Sequence, residues 1–198
     1  MTQQTTRTHL ALAGLLALTL VAFTAVPAAA GGAWRAKAAE DVAIRLTNCI
    51  RSGGLVTQAG RCKGWGKGKY SKPQPLLKRS DRISDRVSWP WAKRSVQFSG
   101  TRSCWIGHAK AGSTVDKRFA SVSLKHIANG ENMGCGMYGT GKQTVIRVVR
   151  MWQTERSWGG PHWRQIKDPE FKSVGVGVAR YGSRKAQMVV NFYGKALR

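Results

Sequence analysis

Four polar residues have the types and the surroundings that allow metal or acid–base chemistry. Glu131 lies in the stretch "NGENMGCG", which reads as a turn, and Glu155 lies near the end of a predicted helix. His108 and His162 each lie in a glycine-rich segment that also contains an aromatic residue. Imidazole nitrogen and carboxylate oxygen are both good ligands for Zn²⁺ and related cations. A single histidine is more often a hydrogen-bonded structural residue, so the chemistry depends on the four being brought together.

The helix that carries Glu155 is predicted from Thr144 to Arg156. Its apolar face consists of Val145, Val148, Val149 and Trp152. Glu155 falls on this same face, because it follows Trp152 by three positions. Burying an unpaired carboxylate is costly, so Glu155 needs a partner or a functional role.

Two further helices are predicted upstream. The first runs from Glu40 to Ile50 and ends before a Gly-Gly pair. The second has helical spacing from Leu76 to Val87, and Pro90 is expected to end or kink it.

A β-hairpin is predicted near the end of the chain. In "SVGVGVARY" valine alternates with glycine, and after the turn "YGSRK" the run "AQMVVNFYG" forms a second strand. The glycine face of the first strand allows another backbone to approach closely. Helices first and strands last indicate an α+β fold in which helices cover an antiparallel sheet.

The chain is strongly basic, and its excess charge is concentrated in one segment. Lys and Arg number 33 against 9 Asp and Glu, which gives a formal net charge of +24. No acidic residue occurs from Val42 to Ser80. A lysine- and glycine-rich loop at about residues 60–75 is predicted to be a flexible or irregular connection. It carries Lys63, Lys67, Lys69 and Lys72.

A positive field of this strength concentrates polyanions near the surface. The polyanions considered are anionic cell-wall polymers, acidic polysaccharides and lipid headgroups, with nucleic acid bound only non-specifically. The alternative is a solvated charged face without a ligand.

Residues 1–30 have the pattern of a removable secretory signal peptide. Arg7 precedes an apolar run from Leu10 to Val26, and small residues follow at the cleavage position. A transmembrane anchor is the alternative, but Ala-Ala-Ala followed by Gly31 and Gly32 suits cleavage better. We therefore expect a single domain at residues 31–198, with no transmembrane segment after cleavage. The mature protein is expected to be secreted, extracellular or cell-wall associated.

Four cysteines in an exported chain predict two disulfides. Three pairings are possible, of which we favour Cys49 with Cys62 and Cys104 with Cys135. The first pair closes a short glycine-rich loop. A zinc site made of four thiolates is the alternative, which the absence of C-x-x-C spacing disfavours.

The motifs of the chain, in their order, resemble those of the CAP superfamily of cysteine-rich secretory proteins, antigen 5 and pathogenesis-related 1 proteins. "RLTNCIRSGGL" is similar to the opening helix, "GENM" to the Gly-Glu-Asn-aliphatic motif and "MWQTE" to the Trp-x-x-Glu helix. "PHWRQI" resembles the Gly-His-aromatic-x-Gln-aliphatic motif, although Pro161 replaces the glycine. "DPEFKSVGVGVA" and "VVNFYG" resemble the segments that follow in bacterial members, and His108 resembles the first histidine of the bacterial pattern.

This resemblance implies an α-β-α sandwich whose cleft contains His108, Glu131, Glu155 and His162. The preferred function is that of a secreted, basic CAP-domain binding protein. Its lysine-rich loop would contact the polyanion, and His108 and His162 would bind Zn²⁺ or another divalent cation beside the two carboxylates.

Two other functions remain open at this point. One is a metal-dependent extracellular hydrolase in which Glu131 or Glu155 acts as general base on a metal-held water. No serine lies in G-x-S-x-G, and the cysteines are better explained as disulfides, so no nucleophile is evident. The other is a structural wall protein in which the four polar residues form only a buried network.

Overall fold

The computed structural model describes residues 32–98, 103–124 and 128–194. The predicted signal peptide at residues 1–30 lies outside these ranges. Within them, no helix is both long enough and apolar enough to cross a membrane.

The described residues form six α-helices and seven strands. The helices are α1 (Lys37–Arg51), α2 (Asp81–Ile83), α3 (Trp89–Phe98), α4 (Val115–Ala120), α5 (Gly141–Thr154) and α6 (Pro161–Lys167). The strands are β1 (Ala33–Arg35), β2 (Leu55–Val56), β3 (Cys62–Lys63), β4 (Lys78–Arg79), β5 (Asn129–Gly136), β6 (Ser173–Tyr181) and β7 (Lys185–Tyr193). A π-helical turn, Ser84–Ser88, joins α2 to α3, and a 3₁₀ turn, Glu155–Ser157, follows α5.

The main sheet has the strand order β1-β6-β7-β5, with antiparallel neighbours throughout. β4 adds a short parallel pairing to the start of β6, and β2 and β3 form a separate hairpin. The predicted hairpin of β6 and β7 is confirmed. Helices α1, α5 and α6 cover one face of the sheet, while the segment from α2 to α3 covers the other. The chain is therefore an α+β protein, an α-β-α sandwich, as expected.

The alternation in β6 divides its two faces between the two helical layers. Val174, Val176 and Val178 are buried against the layer of α1 and α5. Gly175 and Gly177 face the π-helical turn instead. A Cβ at Gly177 would lie 2.5 Å from the main-chain nitrogen of Trp89, so helix backbone packs directly on strand backbone at this point.

The second predicted helix begins later than the sequence suggests. Leu77 is held extended by Asn48 of α1, whose side-chain amide donates to the Leu77 carbonyl at 3.0 Å and accepts from its N–H at 2.9 Å. The helix starts only after Ser80, whose hydroxyl accepts from the N–H of Ile83. Pro90 does not end the helix, because a π-helical turn precedes it and changes the local hydrogen-bond spacing.

The stretch "NGENMGCG" is strand β5 and not a turn. Its glycines lie where neighbouring helices pack closely: a Cβ at Gly134 would collide with Val148 of α5. Glycine inside a strand can mark such a close approach as well as a bend, and here it marks the approach.

The structure contains the two disulfides that the sequence favours. Cys49 is bonded to Cys62, 13 residues away, and Cys104 is bonded to Cys135, 31 residues away. The first ties the end of α1 to the start of the lysine-rich loop. The second ties the segment before His108 to strand β5.

Candidate functional site

His108 and Glu131 form the first of two histidine–glutamate pairs. The Nδ1 atom of His108 lies 3.0 Å from Oε1 of Glu131, whose side chain is fully buried. The other carboxylate oxygen accepts from Arg118 at 2.6 Å and from Asn191 of β7 at 2.9 Å. Both oxygens of Glu131 are therefore engaged by protein groups.

Arg118 is a site residue that the sequence argument missed. It lies on α4 with its guanidinium 4.1 Å from the ring centroid of Trp91, and it also donates to the backbone carbonyl of His108 at 3.1 Å. A buried carboxylate needs a partner, and this requirement at Glu131 is the signal that points to the basic residues between His108 and Glu131.

Glu155 and His162 form the second pair. Oε1 of Glu155 lies 2.5 Å from Nδ1 of His162. Oε2 accepts from the backbone N–H groups of His162 and Trp163 at 2.9 and 3.2 Å. Glu155 thus caps the first turn of α6, where the unpaired N–H groups of a helix require acceptors.

His162 lies in the first turn of α6 and not in a glycine-rich loop. Pro161 occupies the first helical position, which suits its fixed φ and its missing N–H. The imidazole stacks on Trp152 of α5, with ring centroids 5.4 Å apart and an interplanar angle of 14°. The ring is therefore held by a stack on one side and by a carboxylate at Nδ1.

The two pairs lie on opposite faces of β5. Glu131 shares its face with Met133, which packs against α3. Asn132 points to the other face, where its side-chain amide donates to the backbone carbonyl of His162 at 3.1 Å. β5 is at one end of the strand order, and the side chains of His108 and His162 are 49% and 24% exposed.

Each histidine has one imidazole nitrogen that a metal could use, and the oxygens of both carboxylates are already engaged by protein groups. In both histidines Nδ1 faces a carboxylate, and within the described ranges Nε2 of neither makes a hydrogen bond. This is the orientation that a carboxylate imposes on metal-binding histidines. The oxygens of Glu131 and Glu155 are already engaged, which also disfavours either as a general base. No group of three or more His, Cys, Asp or Glu side chains suited to a metal occurs among the described residues.

The lysine-rich loop is a second candidate site, separate from the histidines. Its four lysines, Lys63, Lys67, Lys69 and Lys72, are all exposed, as is Trp65. The loop is irregular as predicted, but it is anchored and not merely a flexible connection.

Arg51 provides the first anchor of this loop. Its fully buried side chain donates from Nε to the carbonyl of Pro75 at 2.7 Å, which holds the end of the loop. The two terminal nitrogens donate to the carbonyls of Ile166, Asp168 and Phe171 at 2.7, 2.8 and 3.3 Å. Burial lowers the pKa of Arg51 to about 10, so the side chain remains charged at neutral pH.

Lys167 and Arg156 provide further anchors. The ammonium of Lys167 donates to the carbonyl of Lys72 at 2.6 Å and to the hydroxyl of Ser71 at 3.1 Å. Arg156 donates to the carbonyl of Tyr70 at 2.6 Å. Burial, and then repulsion by Arg51, lowers the pKa of Lys167 to about 8. Three cations thus hold the backbone of the loop, of which Arg51 is buried, Lys167 half-buried and Arg156 exposed, while the lysines of the loop face solvent.

The helices and strands form an α-β-α sandwich, with one histidine–glutamate pair on each face of strand β5. Residues 71–193 match the CAP family, described as the cysteine-rich secretory protein family, and the chain belongs to that family. No curated protein matches the chain with significant similarity.

Three solved structures are similar in fold. An extracellular protein containing a SCP domain from Bacillus anthracis str. Ames is 17% identical with a TM-score of 0.53, over 80% of this chain and 41% of that one. An outer surface protein from Borrelia burgdorferi is 16% identical with a TM-score of 0.56, over 84% and 99% of the two chains. NaASP2, solved with Zn²⁺, is 14% identical with a TM-score of 0.51, over 80% of each chain. The chain thus spans less than half the length of the Bacillus protein.

Proposed function

We propose that the protein is a secreted binding protein whose lysine-rich loop engages an anionic polymer at the cell surface. The ligand classes are an anionic cell-wall polymer, an acidic polysaccharide and lipid headgroups. The observation that carries the proposal is the exposure of all four loop lysines on a backbone anchored from within the fold. A rigid arrangement of charges loses less conformational entropy on binding than a mobile one.

The surrounding charge supports this proposal. No Asp or Glu lies between Val42 and Ser80, so no acidic residue close in sequence offsets the positive charge of the loop. Secretion is supported by the leader-like pattern of residues 1–30 and by the family. Two proteins of similar fold are described as extracellular and as an outer surface protein.

Replacing Lys63, Lys67, Lys69 and Lys72 together by Gln is expected to weaken retention on an anionic wall polymer. Binding driven by counterion release falls as salt rises, and each lost contact lowers the slope of log affinity against log salt by about 1. The fourfold variant should therefore show a slope lower by up to about 4. The measurement is retention on immobilised polymer at increasing salt.

The matched control removes four other exposed lysines, one on each of four helices, and leaves the loop intact. These are Lys37, Lys93, Lys117 and Lys142. If the control variant loses as much affinity as the loop variant, the protein binds through its net charge and the loop is not a site.

A divalent cation at the two histidines is a second proposal. Its support is that Nδ1 of both rings is held by a carboxylate, which leaves both Nε2 atoms to face a metal. NaASP2, which has a similar fold, was solved with Zn²⁺. The carboxylates would orient the imidazoles, and the cation would supply Lewis-acid chemistry when bound.

Replacing His108 and His162 together by Ala is expected to abolish Zn²⁺ uptake measured by calorimetric titration, while far-UV circular dichroism stays unchanged. Each single variant should also lose most of the uptake if one ion is shared. Equal uptake by the wild type and the double variant would show that the two pairs are a structural network only.

A further inference from the structure

Two aromatic side chains are exposed at the end of the main sheet where β6 turns into β7. Trp34 of β1 is 49% exposed and lies opposite Arg180, two residues before that turn. Tyr138 is 65% exposed and follows β5, whose last residue, Gly136, lies opposite Ala186 just after the turn. The two rings therefore flank the turn, one beside β6 and the other beside β7.

An arginine lies over each of these exposed rings. The guanidinium of Arg180 is 5.2 Å from the ring centroid of Trp34. That of Arg184, which lies in the turn, is 5.7 Å from the ring centroid of Tyr138. Arg180 also donates to the carbonyl of Ser183, which ties the first pair to the turn. Each pair thus presents an apolar ring beside a positive charge, at the distance of a cation–π contact.

The backbone of Tyr138 is a second and independent observation. Its φ of 63° lies in the left-handed region that favours glycine. Strain of this kind persists only where the rest of the structure maintains it, and it is concentrated at functional positions. Arg147 of α5 maintains it here by donating to the Tyr138 carbonyl at 3.3 Å. Because the ring is exposed, its burial does not offset the strain, which indicates a role in contact with another molecule.

The segments at this end contain the side chains that suit a lipid surface and lack those that bind sugars. They are residues 33–36, 137–140 and 180–184, with the sequences AWRA, MYGT and RYGSR. None contains Asp, Glu, Asn or Gln, whose carboxylate and amide groups bind sugar hydroxyls. Tryptophan and tyrosine place an apolar body and a polar group together at the headgroup level of a membrane, and arginine is attracted to anionic headgroups.

We infer that this end of the sandwich binds a membrane surface that contains anionic phospholipid. Trp34 and Tyr138 would enter the headgroup layer, with Arg180 and Arg184 beside the phosphates. The inference goes beyond the proposed function and does not rest on it. The lysine-rich loop is anchored by Arg51 at the other end of α1, and the 15 residues of that helix span about 22 Å. The two surfaces are therefore separate.

Replacing Trp34 by Ala and Tyr138 by Gly together is expected to lower binding to vesicles of phosphatidylcholine and phosphatidylglycerol about tenfold or more, because two rings no longer leave water. The measurement is the fraction of protein that sediments with the vesicles as lipid concentration rises. Tyr138→Gly alone removes a ring and relieves strain, so it should keep the fold and still bind about threefold less or weaker. Wild-type affinity in either variant would overturn the inference.

The matched control replaces two exposed apolar side chains elsewhere, Trp158 and Ile106, by Ala. Trp158 is 67% exposed and lies beyond the opposite end of α5 from Tyr138, and Ile106 is 52% exposed. The control variant should bind the vesicles as the wild type does. Equal losses in the two double variants would show that binding follows the apolar surface of the whole protein, and the inference would be wrong.

Arg184→Gln tests the contribution of charge. One arginine fewer near an anionic surface should lower vesicle binding about fivefold. The difference from the wild type should shrink as salt rises, because exposed charges are screened. On vesicles of phosphatidylcholine alone, the variant and the wild type should bind equally. Equal binding on the anionic vesicles would contradict recognition of anionic lipid at this surface.

The same preparations distinguish this inference from the proposed function. Mass spectrometry first confirms that all of them share one N-terminus, so that an apolar leader contributes equally. If the fourfold lysine variant alone loses vesicle binding, the loop holds the lipid and this inference is wrong. If the Trp34 and Tyr138 variant loses binding to polygalacturonate, an acidic polysaccharide, but not to vesicles, the surface binds sugar and the inference is again wrong. If the lysine variant binds wall polymer, polygalacturonate and vesicles as the wild type does, while the aromatic variant loses the vesicles, the proposed function fails and the inference stands.

Discussion

Replacing Arg51 by methionine is expected to lower the free energy of unfolding by about 3–5 kcal/mol, one of the largest effects of any single change in this chain. The buried guanidinium donates to four backbone carbonyls. Methionine fills a similar volume but provides no donor, so several buried acceptors lose their partner at about 1–3 kcal/mol each, reduced by relaxation. Urea unfolding followed by circular dichroism measures the difference.

The control for this prediction is Arg45→Met, on the exposed side of the same helix. Arg45 makes one hydrogen bond, to the carbonyl of Gly60 at 3.1 Å. Its replacement should cost no more than about 1 kcal/mol. Similar losses for Arg51→Met and Arg45→Met would show that the carbonyl contacts of Arg51 contribute little to stability.

Replacing Glu131 by glutamine is expected to cost a comparable 3–5 kcal/mol. The neutral amide removes the charge that faces Arg118, and a buried cation without its counter-charge is strongly destabilising. The Arg118 side chain is 10% exposed and the Glu131 side chain is not exposed at all, so water screens the pair only slightly. Thermal or urea unfolding of the variant provides the measurement.

A double variant distinguishes loss of the ion pair from loss of carboxylate packing. Adding Arg118→Met to Glu131→Gln removes the stranded charge, so the double variant should be more stable than the sum of the two single losses predicts. Glu170→Gln, at an exposed glutamate, is the control and should be nearly neutral. Additive losses in the double variant would contradict the ion-pair explanation.

The sequence predicts those helices and strands in which apolar residues recur at a clear period. It does not predict the conformation of segments that are held by residues far away in the chain. The helix before Glu155 and the hairpin of β6 and β7 follow from apolar periodicity alone. The late start of α2 does not, because Leu77 is held extended by Asn48, 29 residues earlier. The glycines of β5 are typical of a turn, but Gly134 and Gly136 are required by close packing against α5, which a local sequence pattern does not show.

The sequence suggests which residues form the candidate site, but it does not show which of them contact each other. His108, Glu131, Glu155 and His162 are paired within the site, each histidine with one glutamate. One pair lies on each face of β5. The types and sequence positions of the four residues do not show on which face of the sheet each residue lies. Arg118 was missed because an arginine among 33 basic residues does not stand out by type.

The glycines of β6 limit how this chain can vary over evolutionary time. A residue with a side chain at Gly177 would meet the main-chain carbon and oxygen of Ser88 and the main-chain nitrogen of Trp89, each 2.5 Å from its Cβ. Every amino acid has those atoms, so no second substitution in the helix can create the missing space. Where two side chains are in contact, a substitution at one position can be compensated by a substitution at the other. Gly177 contacts backbone atoms, so it can be replaced only if the whole helix moves away from the sheet.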